Sequence, residues 1–319
     1  MAEAKDLNSP KYIFGPVPSR RLGRSLGVDL VPYKTCTFDC IYCDLGRTAQ
    51  KTTLRQSFVS PEEIQGELES YLSVLDKKPD FVTLSGSGEP TLNNDIGQII
   101  RGAKEITSIP VAVLTNGSLF SLDEVRRSLS ETDVVLPSLD AMTPALFGYI
   151  NRPHPSLKIE EVFAGLIQFR KEYRGQIWLE IVFCRGVNDD KEEIERLKEA
   201  IGRIQPDRIQ LNTPTRPPAE DFVFPLTKDQ LEEIRKKLGE KAEVISEFVA
   251  PLGDRFDSDR DAEIINLLRR RPCTAEDISR ALGLHLEEVV KYLNNLRAKG
   301  AVQYRVFEHR CYYAKALPH

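Results

Sequence analysis

The 319-residue sequence predicts an α/β fold followed by a small second domain, on three observations. Short β-rich runs alternate with amphipathic helical patterns from residue 26 to about 239, the signature of βα units. Polar residues recur where those runs end, whereas a purely structural barrel fills such positions with Val, Ile and Leu. From residue 258 the pattern changes to three helices and a short hairpin. Parallel strands joined by helices need right-handed crossovers, which make an open or closed barrel or a doubly wound sheet. In each of these, ligands sit at the carboxyl ends of the strands.

Six strands are expected at 26–31, 80–84, 111–114, 134–139, 177–183 and 208–211, and a run at 242–248 adds a further one. Ser60-Pro61 followed by Glu63 combines an N-cap, a first-position proline and a capping-box acid. Ile64, Leu68, Leu72 and Leu75 then form one apolar stripe. Thr143-Pro144 and Thr227 with Gln230 open further helices by the same logic.

In the tail, Ile264, Ile265, Leu267 and Leu268 mark a helix over 258–271, and Thr274-Ala275-Glu276-Asp277 caps a second. Gly283 makes a turn, a third helix covers 286–299, and Gly300 stops it. Alternation over 302–307 and 310–313 reads as a hairpin, so the whole predicts a winged helix-turn-helix. The expected division is therefore 1–250, a linker at 251–257 around Gly253, and 258–319.

Charge is uneven. The net value is −4, but residues 255–319 carry 12 Lys+Arg against 9 Asp+Glu, which gives +3 there and −7 elsewhere. That excess is small for a DNA reader, and Glu287-Glu288 at the start of the third helix would repel phosphates. Docking of RNA, a peptide or the larger domain itself suits the tail at least as well. Hydrophobic residues at 41% and charged residues at 29% are near the globular average, and no apolar run approaches the ~20 residues that span a bilayer. Six cysteines are too few for a disulfide-stapled scaffold, and no signal peptide precedes them, so a reducing cytoplasm is expected.

Three of those cysteines, Cys36, Cys40 and Cys43, fall within eight residues. Structural zinc normally takes four protein ligands in two pairs, and no second pair exists, since Cys184, Cys273 and Cys311 are single and far apart. An iron-sulfur cluster on three thiolates fits better and leaves one iron open to another ligand. The strand ending at Leu84 runs into Ser85-Gly86-Ser87-Gly88-Glu89-Pro90-Thr91, in which glycines allow close backbone approach and Glu89 can accept bonds from an ammonium group. Alone, this would pass for a plain glycine-rich turn. Thr115-Asn116-Gly117 and Pro137-Ser138-Leu139-Asp140-Ala141 follow at the next two strand ends. Alternation puts Ser138 with Asp140, Glu180 with Val182 and Cys184, and Gln210 with Asn212, each set on one face.

The Cys36/Cys40/Cys43 triplet, with Tyr42 before its last member and the Gly-Ser-Gly-Glu-Pro turn after the second strand, resembles the radical S-adenosylmethionine (SAM) enzymes over roughly residues 11–250. Thr115-Asn116-Gly117 and Ser138-Leu139-Asp140-Ala141 look most like the molybdenum-cofactor-synthesis branch. The lead-in from Ser19 to Gly27 is similar to a group loosely associated with the wybutosine tRNA-modifying enzymes, although those carry additional N-terminal cysteines and this chain has none before Cys36.

The resemblance implies a partial (β/α)6 radical SAM barrel with a [4Fe-4S] cluster on Cys36, Cys40 and Cys43. Its open iron would chelate SAM, and reductive cleavage would yield a 5′-deoxyadenosyl radical that abstracts hydrogen from an unidentified substrate, with RNA, nucleotide and peptide as candidate classes. It also implies site roles. Gly86, Ser87, Gly88 and Glu89 would meet the SAM amino group, with Pro90 in the same cofactor-binding turn, and Ser138 and Asp140 the ribose or carboxylate. Thr115 and Asn116 would lie in the same region and Tyr42 at the adenine, with Glu180 and Asn212 completing the set. Arg152 would pair with the carboxylate or remain a solvated loop arginine. An external electron donor such as flavodoxin or ferredoxin would be a partner.

Cys184 reads either as an inward thiol that donates a hydrogen atom or ligates substrate, or as a buried structural cysteine. Arg20, Arg21 and Arg24 either grip a phosphate or are solvated. Methyl or aminocarboxypropyl transfer from SAM is compatible with the same thiol spacing. A redox-sensing DNA-binding regulator is the alternative of another class, but a sensor has no use for Glu89, Ser138 or Asp140.

Overall fold

A computed structural model describes residues 11–245, 260–284 and 286–316. The chain opens with β1 (Ile13–Ser19) and β2 (Gly23–Asp29), an antiparallel hairpin. The cysteine loop follows β2 and contains a two-residue parallel pair, β3 (Thr35–Cys36) and β4 (Gln50–Lys51). The repeating units come next: α1 (Pro61–Ser73), β5 (Phe81–Ser85), α2 (Ile96–Ile106), β6 (Val111–Thr115), α3 (Asp123–Ser128), β7 (Val134–Pro137), α4 (Pro144–Ile150) and α5 (Ile159–Glu172). They continue as β8 (Gln176–Val182), α6 (Lys191–Ile204), β9 (Arg208–Asn212), α7 (Lys228–Leu238) and β10 (Ala242–Val244). One eight-stranded sheet runs β1-β2-β5-β6-β7-β8-β9-β10, parallel from β2 onward.

The six expected strands are β2 and β5 to β9, each within a few residues of its predicted span. The seventh run forms β10, while 246–248, the linker at 251–257 and the first two residues of the 258–271 helix lie outside the described residues. β1 was not expected as a strand. Pro16 and Pro18 disguise it, and the structure tolerates them because β1 is an edge strand whose register shifts between Phe14 and Val17.

The helix starts form as their caps predict. Ser60 Oγ accepts from Glu63 N at 3.3 Å, and Thr227 and Gln230 make a complete capping box. Thr143 precedes α4 without a side-chain cap bond. Ile64 and Leu68 of the α1 stripe are buried and Leu72 packs at the margin of the core, whereas Leu75 lies beyond the helix end.

After residue 260 come α8 (Arg260–Arg270), α9 (Ala275–Leu282), α10 (Leu286–Ala298) and the antiparallel hairpin β11 (Val302–Phe307) and β12 (Arg310–Lys315). Thr274 and Asp277 cap α9 reciprocally, and Gly283 ends it in the left-handed conformation. Their apolar core, built on Ile264, Leu268, Ile278, Val289 and Leu293, also takes in Val17 and packs against Phe14, so the tail is seated on edge strand β1. Among the described residues no helix is long and apolar enough to cross a membrane.

Candidate active site

The cysteine loop is held from both sides by backbone bonds. On one side Lys34 N donates to Ser87 O at 2.6 Å and Glu89 N to Thr35 O at 3.0 Å, which presses the turn after β5 against β3. Both glycines of that turn are required by space. Gly86 has φ +117°, and a Cβ at Gly88 would run into the carbonyl oxygen of Thr35. On the other side Asp39 N and Ile41 N each donate at 2.9 Å to the carbonyls of Asn151 and Ile150, at the end of α4.

Cys36, Cys40 and Cys43 are free and half-buried. Burial pushes the Cys36 thiol up to about 12, with the Glu89 carboxylate adding to the effect, and raises Cys40 and Cys43 as well. Two sulfurs receive amide donors, Asn116 Nδ2 on Cys36 Sγ at 3.6 Å and Asn151 Nδ2 on Cys40 Sγ at 3.5 Å. Among the described residues no three His, Cys, Asp or Glu side chains gather around a point able to hold a single metal ion. A cluster asks for something else, since each thiolate takes a different iron.

The carboxylates at the strand ends are largely occupied by the protein. Glu89 is 2% exposed; its Oε1 accepts from Thr91 N, Thr91 Oγ1 and Thr115 Oγ1 at 3.0, 2.6 and 2.6 Å, and its Oε2 from Asn116 N at 2.7 Å. It therefore ties the turn after β5 to the end of β6. One acceptor position on Oε2 is left for anything else. Asp140 accepts from Tyr42 OH at 2.5 Å, Asn151 Nδ2 at 2.7 Å and Val182 N at 2.9 Å. Tyr42 and Asp140, expected at different parts of one ligand, are thus bonded to each other.

Glu180 accepts from Asn212 Nδ2 at 2.9 Å and from Arg21 Nη1. Arg152 pairs with Glu220 rather than standing as an open solvated loop arginine, and it holds φ +43°. Asn116, Ser138 and Asp140 share the lining of a cavity of about 10 Å³. Cys184, read either as an inward reactive thiol or as a buried structural cysteine, is 0% exposed and sits in the main hydrophobic core. Ser87, expected at a ligand, gives both its N–H and its hydroxyl to Asp29, at 2.8 and 2.7 Å.

A family model described as the radical SAM superfamily matches residues 30–199, which takes in the cysteine loop and the strands through most of α6. This chain belongs to the radical SAM superfamily. It is 34% identical over 285 residues to the UPF0026 protein MJ1312 of Methanocaldococcus jannaschii, covering 88% of this chain and 85% of that one, and so also belongs among the UPF0026 proteins. It is 36% identical over 297 residues to a protein named GTPase Obg from Brachyspira hyodysenteriae, 92% of this chain but only 43% of that protein's length. Among solved structures, Streptococcus suis SuiB bound to S-adenosylmethionine superposes with a TM-score of 0.50 at 15% identity, over 66% of this chain and 46% of SuiB. That likeness is one of fold.

The cofactors of the superfamily are a [4Fe-4S] cluster and SAM. The residues of the cysteine loop fit such a cluster, because three free thiols share one loop and two of them already receive N–H donors, which stabilise thiolate sulfur. Sequence reasoning missed the two asparagines that organise the centre. Asn151 links Cys40 to Asp140, and Asn188, 0% exposed, donates to Asp140 O at 2.8 Å and Val182 O at 3.0 Å while accepting from Cys184 N. Asn151 was visible only as the residue before Arg152-Pro153, and nothing in the run Gly186-Val187-Asn188 signals its partners.

Proposed function

We propose that this chain is a radical SAM enzyme in which Cys36, Cys40 and Cys43 hold the [4Fe-4S] cluster and the strand-end loops of β5, β6 and β7 form the SAM site. When bound, the two cofactors supply one-electron cleavage of the sulfonium and, with it, hydrogen-atom abstraction from a substrate. The chain's own residues position and shield. Asn116 and Asn151 direct amide protons at two of the sulfurs, and the buried bonds of Glu89 and Asp140 fix the loops that carry Asn116 and Tyr42. In this reading the remaining acceptor position of Glu89 Oε2 and the backbone of Gly86 to Gly88 take the SAM amino group, and Ser138 lies toward the ribose. Cys184 has a packing role.

The single observation that carries this reading is the thiol triplet clamped against the Gly86 to Glu89 turn by two backbone bonds. The three helices and hairpin of the tail support a winged helix-turn-helix domain over 258–319, with 1–250 as the catalytic domain. Its seating on β1 supports docking against the sheet over a free nucleic-acid reader. Flavodoxin or ferredoxin would supply the electron.

Anaerobically reconstituted protein, given dithionite and SAM, is expected to form 5′-deoxyadenosine and methionine, and Cys40→Ala is expected to form neither. Tight, salt-sensitive DNA binding by protein that turns over no SAM would instead overturn this reading.

A further inference from the structure

Five arginines that the proposed chemistry does not use converge on one cavity of about 80 Å³. They come from separate segments: Arg20 from the β1–β2 turn, Arg216 from the loop after β9, Arg271 after α8, Arg280 in α9, and Arg310 at the start of β12. The acids nearby are few and committed. Asp277 Oδ1 accepts from Arg280 at 2.8 Å while its Oδ2 caps α9 through Thr274 N at 3.1 Å, and Asp44 lies 3.7 Å from Arg216. Glu180, which Arg21 and Asn212 hold, also acts on Arg20, so five guanidinium groups face three carboxylates.

The cluster is also incompletely satisfied. The Arg216 side chain is 18% exposed, and its Nε is buried without a hydrogen-bond partner. Burial, with the neighbouring charges of Arg216 and Arg21, pushes Arg20 down to about 10, and burial beside Arg216 lowers Arg271, whereas Arg216 is itself raised against its burial by Asp44 and other neighbours. Half-buried guanidinium donors that face one another are costly unless an anion joins them, and their planar fork matches phosphate oxygens.

We propose that this cavity binds the phosphoryl group of a small phosphate ester whose remainder lies in the adjoining cleft. That cleft encloses about 600 Å³, shares Arg271 and Tyr312 with the arginine cavity, and reaches Tyr33, Asp44 and Gly46 of the cysteine loop. Its volume is in the range that buries a small ligand. Asp44 is the residue after Cys43, so a ligand anchored on the arginines extends toward the cluster loop. Assigning that ligand as the substrate rests on the function proposed above; the anion site itself does not. A polyanion such as RNA asks for a row of cations spaced along its backbone, whereas these converge on one small volume.

The test is calorimetric titration of cluster-reconstituted protein with inorganic phosphate, uridine 5′-monophosphate and uridine. The monophosphate is expected to bind at one site per chain, about tenfold or more tighter than uridine, and inorganic phosphate to compete with it. Arg20→Gln and Arg271→Gln are each expected to weaken phosphate about tenfold. Arg101→Gln, on the outer face of α2 and 3.7 Å from Glu131, serves as the charge control and should bind as wild type. Should Arg271→Gln fail to fold by its melting curve, Arg310→Gln at the exposed rim carries the same comparison.

Absence of saturable phosphate binding below about 10 mM, wild-type affinity in the folded variants, or binding of RNA alone with a steep salt dependence would each overturn the proposal. The same preparations are assayed for SAM cleavage. Phosphate binding without cleavage sinks the proposed function and keeps the anion site, and cleavage without phosphate binding does the reverse.

Discussion

Asp140 shows how far a residue's chemistry is set by groups distant in sequence. It is 2% exposed and carries three donors on two oxygens, from Tyr42, Asn151 and Val182, so an amide in its place must turn an NH2 toward at least one N–H or O–H. Asp140→Asn should therefore destabilise the protein by about 1–3 kcal/mol, read as a lower urea midpoint at pH 7 with an unchanged slope. Burial raises the Asp140 carboxyl to about 6 against the opposing Tyr42 bond. A group raised above its unfolded value of 3.8 contributes stability below that pH, and the contribution is lost as pH rises through about 6. On iron-free protein, where no cluster charge enters, the gap between wild type and Asp140→Asn should narrow from pH 4 to pH 7. A gap that widens over that range would show that Asp140 is not a raised carboxyl.

Among the elements, the turn after β5 is the piece whose sequence and geometry agree most closely. Gly88 lies against the Thr35 carbonyl, so Gly88→Ala must push the turn off β3 and should cost about 1–3 kcal/mol, together with a fall in iron bound per chain after reconstitution. Gly202, in the interior of α6, has open space on the side where a Cβ would stand, and Gly202→Ala should stabilise by about 0.5–1 kcal/mol with iron content unchanged. Equal iron content in the two variants would remove the link between this turn and the cluster loop.

These same elements mark what could be read from the chain. The βα alternation, the caps at Ser60 and Thr227 and the thiol spacing are local patterns, so they were legible. Strand β1 was hidden because proline normally excludes a strand, and only its edge position permits it. The partners of Glu89, Tyr42 and Asp140 were not legible either. Side chains expected to face a ligand instead bond one another across 26 residues in one case and 98 in the other, and no local periodicity encodes such pairings.

Across the whole molecule, the tail and the sheet meet at a buried ion pair whose other end reaches the turn after β5. Arg270, 6% exposed on α8, stands with Nε 3.5 Å from Asp29 Oδ2 and lies over the Phe14 ring at 4.4 Å. Asp29 ends β2 and holds Ser87 by two bonds, so the tail is one step removed from the Gly86 to Glu89 turn. Arg270→Met keeps the apolar stem but strands the Asp29 carboxylate, which burial already raises, and should cost about 3–5 kcal/mol. Asp29→Asn strands the guanidinium in turn. The double variant leaves neither charge alone, so it should be more stable than the two single losses predict, with a coupling of about 1–3 kcal/mol in urea unfolding. If the seating also steadies the turn, Arg270→Met should weaken SAM binding to the reconstituted protein, and adding Asp29→Asn should not restore it, because the hold on Ser87 is then loosened as well. Additive losses within about 0.3 kcal/mol would mean that the tail rests on β1 through apolar contact alone.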